Sequence, residues 1–146
     1  MTTHHYFRCP GCGEETRKSR LFDAVKNVAE DNKPACRSCG ASTDLHLSFD
    51  FALCVQDKDA KVLASFYPHQ LEEWPCEGRT VTFYPFLIVT EREGRDRAVW
   101  LPYWHVVRDG GKDNPKYGQW APFMDMELFE DLLSQARNDG FLNHEA

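Results

Sequence analysis

The chain has no long hydrophobic run. Its longest apolar stretches, such as residues 83–89, are strand-sized and far short of the roughly 20 residues a helix needs to cross a bilayer. No apolar stretch precedes the cysteine at position 9, so the sequence is expected to carry no secretory signal and to sit in the cytoplasm. Low-complexity tracts are missing, and so is the strand–helix alternation that builds a nucleotide-binding parallel sheet. No glycine-rich phosphate loop, His-Glu-x-x-His pattern or Ser/Cys nucleophile motif is present. These absences leave the familiar enzyme classes without a signature. What remains is a chain of 146 residues, 42% hydrophobic and 27% charged, sized for one domain or a small module joined to a larger one.

Positive charge is scarce downstream. Residues 1–44 hold seven Lys/Arg against six Asp/Glu, whereas residues 45–146 hold ten against seventeen. The second part would repel a phosphate backbone, so any nucleic-acid contact is expected from the first, with Arg17, Lys18 and Arg20 as its candidates. These three flank a helix start, where positive charge is unfavourable, and a solvated face is the competing reading.

The cysteines are the informative residues. Four of the six fall in two Cys-x-x-Cys pairs, Cys9/Cys12 and Cys36/Cys39, with 23 residues between them. Two residues between ligands let the backbone turn tightly enough for both thiolates to reach one ion, and this spacing reads as a zinc site. Gly13 and Gly40 follow the pairs and permit the positive φ that aims backbone N–H groups at the sulfurs. With all four ligands supplied by cysteine no coordination position is left open, so one structural Zn²⁺ is expected. Arg8, Lys33 and Arg37 stand nearby to offset the surplus negative charge. Iron is the competing occupant, because four thiolates alone do not discriminate these metals. Cys54 and Cys76 read as isolated small residues.

Between the pairs, Leu21, Phe22, Val25, Val28 and Ala29 follow helical spacing, predicting about three turns from a Ser19 cap to a stop at Asn32-Lys33-Pro34. Residues 45–55 alternate with period two, and residues 62–67 return as a second strand. Residues 80–90 and 97–107 predict a long hairpin, with Pro85 and Pro102 marking bulges or edges. The stretches around 68–78 and 109–124 read as loops. A final helix is expected to start at Asp125 and end at Gly140, with Leu128, Phe129, Leu132, Leu133 and Ala136 on its apolar face and Phe141 in contact beyond it. The fold class is therefore α+β: a cysteine module over residues 1–44 with a helix between its knuckles, then an antiparallel sheet and a C-terminal helix over 45–146, the two packed as one unit.

The paired knuckles, Cys9-Pro10-Gly11-Cys12-Gly13 and less closely residues 36–40, resemble those of the zinc-ribbon family. The resemblance covers roughly residues 6–50 and departs from the simplest ribbon in placing a helix between the knuckles. Rubredoxins share such knuckles with iron in place of zinc. The resemblance implies a structural metal and, in the leading reading, a non-enzymatic module that binds a protein partner. A nucleic-acid-binding accessory factor of transcription or translation is the alternative. Aromatic residues crowd the second part, and the hairpin is apolar on both faces, so Trp100, Trp104, Tyr117 and Trp120 are candidates for an interaction surface. An enzyme reading centres on His105 with Arg108 and Asp109, against the commoner outcome of a structural imidazole.

Overall fold

Apolar alternation makes strands of these segments, and they sort into two antiparallel sheets. The structure, a computed structural model, describes residues 2–6, 8–15, 20–50, 59–92, 97–118 and 122–142. One sheet orders its six strands as β1 (Thr2–Tyr6), β2 (His46–Asp50), β3 (Asp59–Phe66), β6 (Leu87–Arg92), β7 (Arg97–Trp100) and β10 (Phe123–Asp125). The other orders four as β4 (Glu72–Cys76), β5 (Arg79–Pro85), β8 (Tyr103–Asp109) and β9 (Lys112–Tyr117). Two helices, α1 (Leu21–Lys26) and α2 (Met126–Asn138), complete the described elements. The class is α+β with antiparallel sheets and a C-terminal helix, as the patterning requires.

The long hairpin exists, but it serves both sheets. Pro85 pairs with Tyr103 in the four-stranded sheet and Ile88 pairs with Trp100 in the six-stranded one, in one continuous register. Between them the Phe86 N–H donates to the Pro102 carbonyl at 2.9 Å. Pro85 and Pro102 have no N–H to give the ladder, so regular pairing lapses here and the ribbon passes from one sheet to the other. The two expected loops contain strands. β4 and β5 meet at Glu77-Gly78, both at positive φ (52° and 78°), and β8 and β9 meet at Gly110-Gly111, also both positive (59° and 83°). Paired positive φ values suit the two-residue turns that match strand twist. β4 and β9 are exposed edge strands carrying Pro75 and Pro115, and they lack the apolar alternation that betrays a buried strand.

β1 precedes the first cysteine pair yet pairs with β2, which follows the second, from Thr2↔Asp50 to Tyr6↔His46. One hydrophobic cluster crosses residue 44: Cys9, Phe22, Val25 and Cys36 pack with Leu45, Leu47, Val62, Ile88, Trp100 and Trp104. Trp100 is fully buried, as are Leu45, Leu47 and Ile88.

α1 is shorter than its apolar spacing suggests. Its hydrogen-bonded turns end at Lys26, because Asn27 turns extended and its side-chain amide donates to the Ala35 carbonyl at 2.7 Å. Val28 then bridges Pro34 instead of continuing the helix. Ser19, the expected cap, lies outside the described residues, and Arg20 holds the cap position. The helix is anchored by buried Ser65 of β3, whose hydroxyl donates to the Val25 carbonyl at 2.8 Å. Phe22 is thereby pressed onto the inner face of the four-stranded sheet, with ring centroids 5.1 Å from Tyr84, 5.6 Å from Trp104 and 6.1 Å from Phe86.

α2 lies against β7 and β10 of the six-stranded sheet, and none of its residues is buried. Its C-terminus closes as expected for a left-handed glycine cap: the Phe141 N–H donates to Ala136, the Gly140 N–H donates to Arg137, and Gly140 has φ 81°. The Phe141 ring makes no cap contact, however; it is 82% exposed.

Candidate metal centre

Two loops of the same shape hold the four cysteines. In the first, Gly13 N–H donates to the Cys9 carbonyl (2.9 Å) and Cys9 N–H to the Glu14 carbonyl (2.8 Å). In the second, Gly40 N–H donates to the Cys36 carbonyl (2.7 Å) and Cys36 N–H to the Ala41 carbonyl (2.8 Å). Each loop is flanked by an antiparallel bridge, Arg8↔Glu15 and Ala35↔Ser42, and each closing glycine has φ 78°. A Cβ is strained in that backbone region, which is why glycine follows each pair. The Gly11 N–H points at the Cys9 sulfur at 3.4 Å, the expected orientation of a backbone donor toward a thiolate.

The loops meet sulfur to sulfur. Cys9 Sγ lies 3.5 Å from Cys39 Sγ, and Cys12 Sγ lies 3.6 Å from Cys36 Sγ. All four sulfurs fall within 4.8 Å of one another. A disulfide would require about 2.05 Å. A tetrahedron with about 2.3 Å from centre to sulfur has edges of about 3.8 Å, close to both separations. The donor set and its spacing therefore fit one tetrahedral metal ion bound by four thiolates.

Burial divides the ligands by position. Cys9 and Cys36, first in each pair, are 1% exposed and belong to the core cluster, whereas Cys12 and Cys39 face solvent. The thiols perturb one another. The Cys39 backbone N–H leads in lowering the Cys36 thiol to about 7, against the burial that opposes ionisation. The Glu14 backbone N–H favours a Cys12 thiolate, yet the hydrogen bond with Cys36 and burial push Cys12 up to about 12. Cys39 is also raised, the Cys9 thiol and burial overriding the Ala41 N–H. Four sulfurs this close cannot all ionise by themselves, and a divalent cation between them supplies the missing attraction.

The remaining candidates separate. Arg17, Lys18, Cys54 and Trp120 lie outside the described residues. Arg20 is tied to Asp23 (2.9 Å) and donates to the Asp113 carbonyl (3.2 Å), so its charge is already matched. Trp100 and Trp104, 0% and 3% exposed, are core residues with no surface to offer a partner; Tyr117 is half-buried with its ring 5.2 Å from Trp104. Phe22 of α1 packs 5.6 Å from the Trp104 ring, and Trp100 packs against Trp104 and Tyr117, contacts that the local pattern of the hairpin does not reveal. Cys76 is exposed on β4. His105 and Arg108 stand on opposite faces of β8, as strand alternation demands, so His105, Arg108 and Asp109 form no single site. Arg108 instead pairs with Asp113 of β9 at 2.9 Å, which raises the arginine further and holds the carboxyl below its ordinary 3.8.

Sequence reasoning missed the outer face of the four-stranded sheet. Here Trp74, Phe83, Tyr103 and His105 gather, with His105 5.4 Å from Phe83, 5.8 Å from Tyr103 and 5.9 Å from Trp74. Trp74 is 39% exposed and the others are half-buried. The period-two alternation of residues 103, 105 and 107 carried this signal, but Trp74 joins it only because β4 is a strand.

The chain matches no known protein family, no curated protein and no solved structure. No described helix is long and apolar enough to cross a membrane.

Proposed function

We propose that this protein binds one structural Zn²⁺ through Cys9, Cys12, Cys36 and Cys39 in a zinc-ribbon-like module, and that it works as a non-enzymatic adaptor for a protein partner in the cytoplasm. The observation that carries the metal assignment is the closed set of four sulfurs at near-tetrahedral separations, two of them in the hydrophobic core. A site with four protein ligands has no vacancy for substrate or water, which marks a structural ion. Zinc is favoured over iron because it has no competing redox state and suits a site that only holds two loops together. A reducing compartment keeps such thiols available.

The adaptor reading draws support from the outer face of the four-stranded sheet. An aromatic cluster with one edge in solvent, Trp74 beside Phe83, Tyr103 and His105, has the composition of an interface centre. Native mass spectrometry of the purified chain should give a mass increase of one zinc, and X-ray absorption should give a shell of four sulfurs near 2.3 Å. Iron in the native protein, or a shell containing nitrogen or oxygen, would refute the assignment. For the adaptor, Trp74→Ala should abolish a specific protein association while leaving zinc content unchanged; full retention of that association would refute this surface.

A further inference from the structure

The second knuckle, the end of α1 and the residue after β3 line an open cavity of about 530 Å³ beside the four cysteines. Its walls bring together three cations, Arg20, Lys26 and Arg37, against a single carboxylate, Asp23. That carboxylate is engaged by Arg20 at 2.9 Å. The next carboxylate outward, Asp113, is engaged by Arg108 at 2.9 Å. Lys26 and Arg37 have no carboxylate within ion-pair distance among the described residues. The Lys26 ammonium is held over the rings of Phe22 (5.6 Å) and Tyr84 (5.1 Å), which fixes its place and leaves its N–H donors free of protein acceptors. Arg37 is exposed, and its backbone lies in the second knuckle between Cys36 and Cys39, whose sulfurs meet those of the other loop. Val28 and half-buried Tyr67 supply an apolar wall.

From this we infer that the cavity is a binding site for a small phosphomonoester, its dianionic phosphate between Lys26 and Arg37 and its organic part against Tyr67 and Val28. Neither Lys26 nor Arg37 forms an ion pair among the described residues, so a phosphate dianion can engage both at once, although Lys26 already acts on the Asp113 carboxyl through space and Arg37 stands beside the cysteine thiolates. The guanidinium fork and the ammonium are the donors that phosphate recognition uses. The volume is within the range of small-molecule sites and exceeds what a phosphate alone would fill. A long polyanion suits the site less well, because beyond the cavity it meets a chain of net charge −6. This inference does not depend on which protein partner the aromatic face takes.

Calorimetric titration of the full chain at low salt tests it with four probes: inorganic phosphate, adenosine 5′-monophosphate, adenosine, and a single-stranded oligonucleotide without a terminal phosphate. At least one of the first two should bind, adenosine should not, and added salt should weaken binding. Lys26→Gln and Arg37→Gln should each cost about tenfold or more in affinity, as loss of a charged hydrogen-bond donor does. Arg79→Gln, at the far end of β5, should change nothing. No binding by either phosphate probe, equal binding of adenosine, indifference to both substitutions, or binding of the oligonucleotide alone would each overturn the site. Should Lys26→Gln fail to fold, Arg37→Gln decides, since that residue is exposed.

Discussion

Residues 8–44 and the two sheets are stabilised by different physics. Among its described residues the first region has a six-residue helix and three isolated bridges for regular structure, and two loops that converge on four sulfurs. The sheets are set by cross-strand pairing around side chains such as Trp100, Ile88 and Leu47, all fully buried. Yet the regions share one cluster, since Cys9, Cys36, Phe22 and Val25 pack into it. A metal bound by these sulfurs would shape a segment too short of apolar residues to order itself, and would hold Phe22 where the sheets need it as cover.

Metal removal should separate the regions most sharply. Structural zinc contributes about 10–16 kcal/mol of apparent binding free energy in small zinc-dependent domains, so chelation or Cys36→Ser should have the largest effect of any single change. Amide hydrogen exchange is the informative readout. Protection across residues 8–45 should vanish, while the β5–β8 ladder keeps part of its own. Simultaneous loss in both regions would show that they unfold as one unit, and protection unchanged by chelation would remove the metal from the account altogether.

Phe22→Ala tests the contact between the regions. The ring touches Tyr84, Phe86 and Trp104, and truncating a buried phenylalanine typically costs about 3–5 kcal/mol. Denaturant unfolding of the metal-loaded protein should show that loss with zinc content preserved. A cost below about 1 kcal/mol would mean that α1 is not the lid of the inner face. A change confined to the sheets comes next. Gly118 follows β9, donates its N–H to the Tyr103 carbonyl at 2.9 Å, and lies so close to the Tyr103 ring that a Cβ would clash with its Cε2 and Cζ carbons. Gly118→Ala should therefore cost about 1–3 kcal/mol through displacement of that ring, with the metal site unaffected. Near-neutral stability would show that the ring moves aside freely.

How much of this could be read in the sequence differs between the regions in the same way. The clustering of the four cysteines was legible because the signal is local: two residues between the members of each Cys-x-x-Cys and a glycine after it set the shape of each loop. The strands around Leu45–Leu47 and Ile88–Trp100 were legible because burial on one face forces alternation. β4 and β9 were not, since edge strands need no apolar side chains, and residues 72–76 and 112–117 look like the polar loops they replace. Their turn pairs, Glu77-Gly78 and Gly110-Gly111, were the signal available. The misplacement of Trp100 and Trp104 on a surface has a non-local cause. Trp104 is covered by Phe22 of α1, a helix tied to β3 by the Ser65 hydroxyl forty residues away from Val25, and Trp100 by Trp104 and Tyr117.

The smallest expected effect, and the one that isolates the sheets from the metal, concerns Arg108 and Asp113 at the polar end of the inner face. Both are solvent-exposed, at 66% and 47%, so their pairing is screened and contributes little. Its sign is nevertheless definite. Hydrogen bonding to Arg108, with burial opposing, holds the Asp113 carboxyl below 3.8, so the folded chain binds that proton less readily than the unfolded one. The stabilisation is complete above the ordinary carboxylate range and disappears as pH falls through the lowered value. Acid also releases zinc by protonating thiolates, so global stability would confuse the two causes. Carbon-13 NMR of the Asp113 carboxyl separates them. Its midpoint should lie below 3.8 in the native chain and return toward that value in Arg108→Gln, with zinc still bound at the pH where the shift begins. A midpoint at or above 3.8 in the native chain would show the pair to be open in solution, and the four-stranded sheet would then owe nothing to charge.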